Sequence, residues 1–203
     1  MGCAGHPQLR TPNIDRIARE GTRFTQAVTA SPLCMPARAS FASGRYPHNH
    51  GMWKNEGELS EAEETFFQVL QKAGYCTAQV GKTHFYEHAE GVDLPQREAY
   101  LHGRGLEYVH ETAGPNGSKR TLSYLTDEWA KKGLLETFIE DIRAREDSPS
   151  GGVWASPLAV DDFLDSYIGR KAAQFVEGYA DERPMCLFVG FGGPHEPYDA
   201  PGP

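Results

Sequence analysis

The chain has 203 residues, with 20 Lys and Arg against 28 Asp and Glu, a formal charge of −8 at pH 7, 39% hydrophobic and 24% charged residues. That balance suits one folded α/β domain over residues 1–203 and not a disordered segment. No basic cluster stands out to neutralise phosphates, which argues against nucleic acid or an anionic membrane surface as partner. No run approaches the roughly 20 apolar residues that span a bilayer, and residues 1–20 lack an apolar signal-peptide core. The compartment stays open between cytoplasmic and periplasmic or secreted.

Thr11-Pro12 ahead of Asn13 to Glu20, with Gly21 beyond, supplies a capping hydroxyl, Pro at the first helical position and Gly past the end, and predicts a short helix. Arg23 to Ala30 reads as a short strand or extended segment. Ser60 with Glu63 three residues on forms a capping-box pattern for a helix carrying Phe66, Val69, Leu70 and Ala73, stopped at Gly74. Tyr75 to Val80 then reads as a strand. From Glu87 to about Thr126 the chain is polar, Gly-rich and aperiodic, as in a surface excursion.

Leu135, Phe138, Ile139 and Ile142 mark an amphipathic helix, and Val160, Phe163, Leu164, Tyr167, Ile168, Phe175 and Val176 a longer one, with Ser148 to Gly152 between them. Met185 to Phe191 is a continuous apolar run, as expected of a parallel strand buried on both faces. This order predicts an α/β sandwich with a largely parallel sheet, whose ligands collect beyond the carboxyl ends of the strands. Met1-Gly2-Cys3 leads at once into a helix and the chain stops at Ala-Pro-Gly-Pro, so a fragment is expected.

Cys3, Cys34, Cys76 and Cys186 show no C-x-x-C spacing or regular framework, so neither a zinc ribbon nor a disulfide scaffold is indicated. Cys76 and Cys186 read as small buried hydrophobes. Pro36 suits a first helical position, which places Cys34 just before a helix N-terminus, where N–H groups and the macrodipole favour an anion. Arg38, four residues on, is spaced to reach back along the same face with its forked guanidinium. Lys82 and His84 would share one face if their strand continues, and His195 sits beyond the last strand between Pro194 and Pro197. Asn116-Gly117-Ser118 matches a glycosylation acceptor but is first a turn signal.

Cys34-Met35-Pro36-Ala37-Arg38, continued by Ala39 to Pro47, closely resembles the sulfatase signature. Thr11 to Asp15 with Gly21 to Phe24, Val80 to His84, and Gly193 to Tyr198 match further blocks in family order. The resemblance implies an alkaline-phosphatase-like α/β sandwich, here incomplete, with the first strand and the C-terminal part missing. It implies that a separate formylglycine-generating enzyme oxidises Cys34 to Cα-formylglycine, whose hydrate attacks a small sulfated substrate and then releases sulfate. By the same resemblance Arg38 and Lys82 stabilise the anion, His84 is a proton acceptor, and His195 contacts the ester and protonates the leaving alcohol. His50 is a further substrate-binding candidate and His48 a surface residue.

Family members also hold a divalent cation, usually Ca²⁺, through acidic pairs that match nothing here. Only position 34 would contribute a metal ligand, and Asp161-Asp162 lacks the family motif. The fragment alone is therefore expected to be inactive. Two other readings stand beside the sulfatase: a formylglycine-dependent phosphonate monoester or phosphodiester hydrolase, and a non-catalytic truncated remnant. A thiol hydrolase built on Cys34 lacks an orienting Asp or Asn at a diagnostic position.

Overall fold

Strand β1 (Cys76–Gly81) is the axis of the fold, and all six of its residues are buried. On one side it pairs in parallel with β2 (Tyr108–Glu111) and on the other with β3 (Met185–Gly190), giving the order β2-β1-β3. The register sets Gly81 opposite both Glu111 and Gly190, so all three carboxyl ends finish at one level. The computed structural model describes residues 1–149 and 152–201. The middle of the Ser148 to Gly152 separator and the last two residues of the terminal Ala-Pro-Gly-Pro lie outside the described residues.

The helices run in chain order as α1 (Pro12–Glu20), α2 (Cys34–Ser43), α3 (Pro47–His50), α4 (Phe66–Lys72), α5 (Glu98–Gly103), α6 (Pro115–Ser118), α7 (Tyr124–Lys131), α8 (Leu135–Glu146) and α9 (Leu164–Glu177). Because side chains alternate along a strand, the sheet presents two apolar faces. One packs Val109 and Phe188 against Met35 and Ala39 of α2, Phe67 of α4 and Leu101 of α5. The other packs Val80 and Val189 against Trp129 of α7, Ile142 of α8 and Ile168 of α9. Each fully buried side chain of this size contributes about 1.5–3 kcal/mol, so both helical layers are held by burial more than by propensity.

Several expectations are corrected. Thr11 precedes α1, but its hydroxyl does not cap the helix; it donates to Asp15 Oδ1 at 2.8 Å and accepts from Gly2 N at 2.9 Å, which ties down the first residues. Residues 23–30 form no strand, because no neighbouring strand pairs with them. The capping box belongs to Thr65 and Gln68 rather than Ser60 and Glu63: Thr65 Oγ1 accepts from Gln68 N at 3.2 Å and Gln68 Oε1 from Thr65 N at 2.8 Å. Glu63 is instead gripped by both oxygens to Arg45 Nη1 at 2.8 and 2.9 Å.

The stretch from Glu87 to Thr126 is not a surface excursion. It supplies α5, β2 and α6, and buries Leu94, Leu101, Leu106, Val109 and Ala113. The long helix expected from Val160 is broken at Phe163, whose extended backbone (ψ 140°) separates a 3-10 turn at Val160–Asp162 from α9. Strand β3 is half-buried at five of its six positions rather than covered on both faces, since it is an edge of this sheet. Cys76 is buried as expected, whereas Cys186 is only half-buried. Asn116 to Ser118 lies in α6 with Ser118 buried, so this sequon is not a surface turn.

Candidate active site

Helix α2 begins where extended Leu33 (φ −94°, ψ 147°) passes the chain to Cys34. Cys34 is thus the first helical residue, not the residue before the helix, and Pro36 is the third. The shift leaves fewer free donors than expected at this helix start. Pro36 has no N–H, and the Met35 N–H donates to Asn55 Oδ1 at 2.9 Å. The dipole still favours negative charge at Cys34.

Arg38 extends from the same helix and donates from Nη1 to the Lys82 carbonyl at 2.6 Å, so its fork is anchored on the backbone just beyond β1, and it is not among the residues that line the cavity of Cys34 and Lys82. That carbonyl is reachable because two glycines meet at the sheet end. Gly81 has φ 93°, a Cβ there would overlap the Gly190 carbonyl, and a Cβ on Gly190 would overlap the Lys82 carbonyl. Strand geometry therefore does not continue to Lys82 and His84 as the sequence suggested. His84 adopts φ 57°, the single positive φ outside glycine among the described residues.

Both side chains nevertheless reach one cavity of about 280 Å³, lined by Cys34, Lys82, His84 and His195 together with Asn55 and Asn116. Lys82 is 5% exposed, and its ammonium has no carboxylate within ion-pair distance and no hydrogen-bond acceptor among the described residues. Gly114 leaves room for it, since a Cβ there would stand 3.0 Å from Nζ. Burial pushes the Lys82 ammonium down to about 8, with Arg38 adding repulsion and Cys34 and Glu111 opposing. Burial likewise lowers Arg38 from its ordinary value, again against Cys34 and Glu111. Burial, reinforced by Lys82 and His88, pushes His84 down to about 2, so the ring is neutral at pH 7; its buried Nδ1 has no partner.

His195 follows β3. Its Nδ1 donates to the Glu196 carbonyl at 2.7 Å, which leaves Nε2 as the free nitrogen. The same residue lines a second, mainly apolar cavity of about 540 Å³ with Phe138, Ile142, Trp154 and Leu158. His50 is not brought to either cavity: it is buried on α3, its Nε2–H donates to Ser40 Oγ at 2.9 Å and its Nδ1 accepts from Met52 N at 3.2 Å. That pairing makes it a neutral strut between α2 and α3, and burial lowers its basicity further.

Asn55, His88 and Glu111 escaped the sequence reading. Glu111 ends β2, is 1% exposed, and accepts from the Thr83 hydroxyl, the Tyr86 hydroxyl and, at 3.3 Å, the Thr83 N–H. It thereby fixes the residue between Lys82 and His84. Burial alone would raise this carboxyl, but His88, Thr83 and Tyr86 together hold it below the usual carboxylate range. The short run from Leu106 to Val109 after Gly105 was the one sequence signal for the strand that carries it.

Asp161 and Asp162 lie in the 3-10 turn, where Asp162 Oδ1 pairs with Lys132 Nζ at 2.6 Å. Among the described residues no group of three or more His, Cys, Asp or Glu side chains is placed to hold a metal ion, and position 34 faces two cations. A hard cation such as Ca²⁺ takes six to eight oxygen ligands, so the donors within these residues do not fit one.

The family profile described as Sulfatase matches residues 1–203. The chain belongs to the sulfatase family. It is 40% identical to human arylsulfatase D over 124 residues, covering 54% of this chain and 20% of that protein. Over 202 residues it is 27% identical to the ulvan-active sulfatase of Formosa agariphila, covering 98% and 33%, and over 206 residues 30% identical to the sulfatase YidJ of Escherichia coli, covering 99% and 37%. The chain thus spans less than two fifths of these relatives. Among solved structures, the phosphonate monoester hydrolase of Agrobacterium radiobacter superposes with a TM-score of 0.69 at 19% identity, over 100% of this chain and 40% of that one. BT4656, in complex with its substrate D-glucosamine-2-N,6-O-disulfate, superposes with a TM-score of 0.60 at 23% identity, over 97% and 32%. These likenesses show the fold, an alkaline-phosphatase-like α/β sandwich.

Proposed function

We propose that residues 1–203 are part of the catalytic domain of a sulfuric ester hydrolase whose nucleophile is made from Cys34 by a formylglycine-generating enzyme. The observation that carries this reading is Lys82, 5% exposed, whose ammonium has no partner among the described residues in the cavity it shares with Cys34. A buried cation without a counter-ion is costly, and a bound sulfate oxygen would supply one. Oxidised and hydrated, position 34 supplies two hydroxyls on one carbon, one to attack sulfur and one to expel sulfate afterwards.

The chain's own residues fit the needs of that chemistry. Lys82 binds the sulfate oxygens and Arg38, anchored behind it on the Lys82 carbonyl, adds positive charge. Neutral His84, whose Nδ1 has no partner, is the proton acceptor, a role that needs the bound anion to offset the burial and the Lys82 ammonium that hold its basicity down. His195, held through Nδ1, offers Nε2 to the ester oxygen, where as an imidazolium it protonates the departing alcohol. The 203 residues by themselves are proposed to bind the anion and to turn over little or nothing.

A phosphonate monoester or phosphodiester hydrolase is the second reading, favoured by the TM-score of 0.69 to such an enzyme. Production of the chain together with a formylglycine-generating enzyme tests both. Hydrazide labelling is expected on the peptide carrying Cys34, inorganic sulfate is expected to bind, and the parent protein is expected to prefer 4-nitrophenyl sulfate to a phenyl phosphonate ester. A reversed preference selects the second reading. An unlabelled Cys34 thiol with no anion binding selects the remnant, and turnover by the 203 residues in the presence of chelator refutes their inactivity.

A further inference from the structure

His195 reaches the cavity of Cys34 and Lys82 from residues 191–200, a segment that belongs to no helix or strand. Its own hydrogen bonds stay within that segment: its N–H donates to the Gly192 carbonyl at 3.3 Å, and Nδ1 to the Glu196 carbonyl at 2.7 Å. Neither bond ties the residue to the sheet or to a helix. The place of the ring is therefore set by the points at which the segment itself is fastened.

After His195, the Ala200 carbonyl accepts from the Ser156 N–H at 2.7 Å. Before it stands Asp165, in the first turn of α9. Asp165 Oδ1 accepts from the Gly192 N–H at 2.7 Å, and Oδ2 from the Gly193 N–H at 3.1 Å. Bonds to an ionised acceptor are the stronger kind, and a helix start favours the carboxylate that makes them. Both glycines are needed for the approach: a Cβ on Gly193 would stand 2.6 Å from Asp165 Oδ2, and one on Gly192 would overlap Leu164. Helix α9 is seated on the sheet through buried Leu164, Tyr167 and Ile168, so the carboxylate is a firm anchor. From Gly193 the chain passes to His195 through Pro194, whose ring fixes φ.

We propose that Asp165 is the positioning residue of His195: by gripping the Gly192 and Gly193 N–H groups it sets how far the imidazole enters the cavity. The inference rests on the sulfatase reading, in which His195 Nε2 meets the ester oxygen. Asp165 does not line the cavity of Cys34 and Lys82, so it acts on the site through His195. Its charge alone would repel an anion, and removing it would strengthen binding. A weakened affinity therefore reports lost position and not lost charge.

The test is a double-substitution cycle on the binding of 4-nitrophenyl sulfate to the whole chain. Asp165→Ala and His195→Ala are each expected to weaken binding about fivefold, the worth of one hydrogen bond. The double variant is expected to weaken it no further, because the two residues act as one unit. Asp165→Asn keeps the size and one accepting oxygen but turns an NH2 group toward a glycine N–H, and is expected to fall between Asp165→Ala and the unaltered chain. Losses that multiply in the double variant, or unchanged binding in Asp165→Ala, overturn the proposal, since a carboxylate that only steadies the fold would not depend on His195. Should Asp165→Ala not fold, Asp165→Asn takes its place in the cycle. In the unaltered chain the Gly193 amide, on an exposed residue, is expected to exchange its hydrogen slowly, and exchange at the rate of an open loop also overturns the proposal. If neither the ester nor inorganic sulfate binds the unaltered chain, the sulfatase reading falls and this inference with it; if both bind and the losses multiply, this inference alone falls.

Discussion

Lys82 gives up its proton near pH 8 because burial strips water from the ammonium. A protonated Lys82 attracts an anion and a neutral one does not, so sulfate affinity is expected to fall as pH rises from 7 to 9, and Lys82→Met to lose that dependence in a calorimetric titration. Folding stability should move the other way over about pH 8 to 10. The unfolded lysine, with its ordinary value of 10.5, binds more protons in that window than the folded one. On the acid side, His84 is pushed from 6.5 to about 2, so the unfolded chain takes up the proton first and stability declines as pH drops below 6.5. A denaturant midpoint that falls between pH 7 and 5, and falls less in His84→Gln, would show it. Cys34, Lys82, His84 and His195, which meet at one cavity, could be singled out in the sequence because each stands in a short contiguous motif. Asn55, His88 and Glu111 were not, since each gains its place from a contact distant in sequence: Asn55 from the Met35 N–H, and Glu111, with His88 beside it, from the alignment of Glu111 with Gly81 across two strands.

Element boundaries depended on competing local signals. Two capping boxes stand five residues apart, and the one directly ahead of Phe66 prevails because an extended Thr65 can both end the loop and face Gln68. Thr65→Ala is therefore expected to cost about 1 kcal/mol, and Ser60→Ala to stay within about 0.5 kcal/mol, both read from denaturant midpoints. The four residues of β2 leave too little alternation to announce a strand; their place comes from pairing with β1. At the sheet end Gly81→Ala would force a methyl onto the Gly190 carbonyl at a backbone with φ 93°. A loss of about 3 kcal/mol is expected, together with weaker sulfate binding because the Lys82 carbonyl shifts off Arg38.

Across the whole molecule, apolar surface is unevenly covered. The two core faces are buried, whereas Ile17 is 68%, Phe24 80% and Val28 90% exposed. Large apolar side chains this exposed seek partners, so the chain is expected to self-associate in sedimentation experiments, and Ile17→Glu combined with Phe24→Ser to reduce the associated fraction. The general architecture was readable in the apolar runs, since a parallel sheet needs them. The half-burial of β3 was not, because burial depends on what packs against a strand and not on its composition.

The meeting of Gly81, Gly190 and the Lys82 carbonyl under Arg38 separates two properties that one short motif seems to unite. On the proposed reading, the modification of Cys34 would follow the contiguous residues Cys34 to Arg38, which a graft could carry into another protein. The cationic cradle is not portable in the same way. It is assembled from the ends of two strands and one helix, with main chain as the spacer, so a graft of the motif would yield an aldehyde without an anion site.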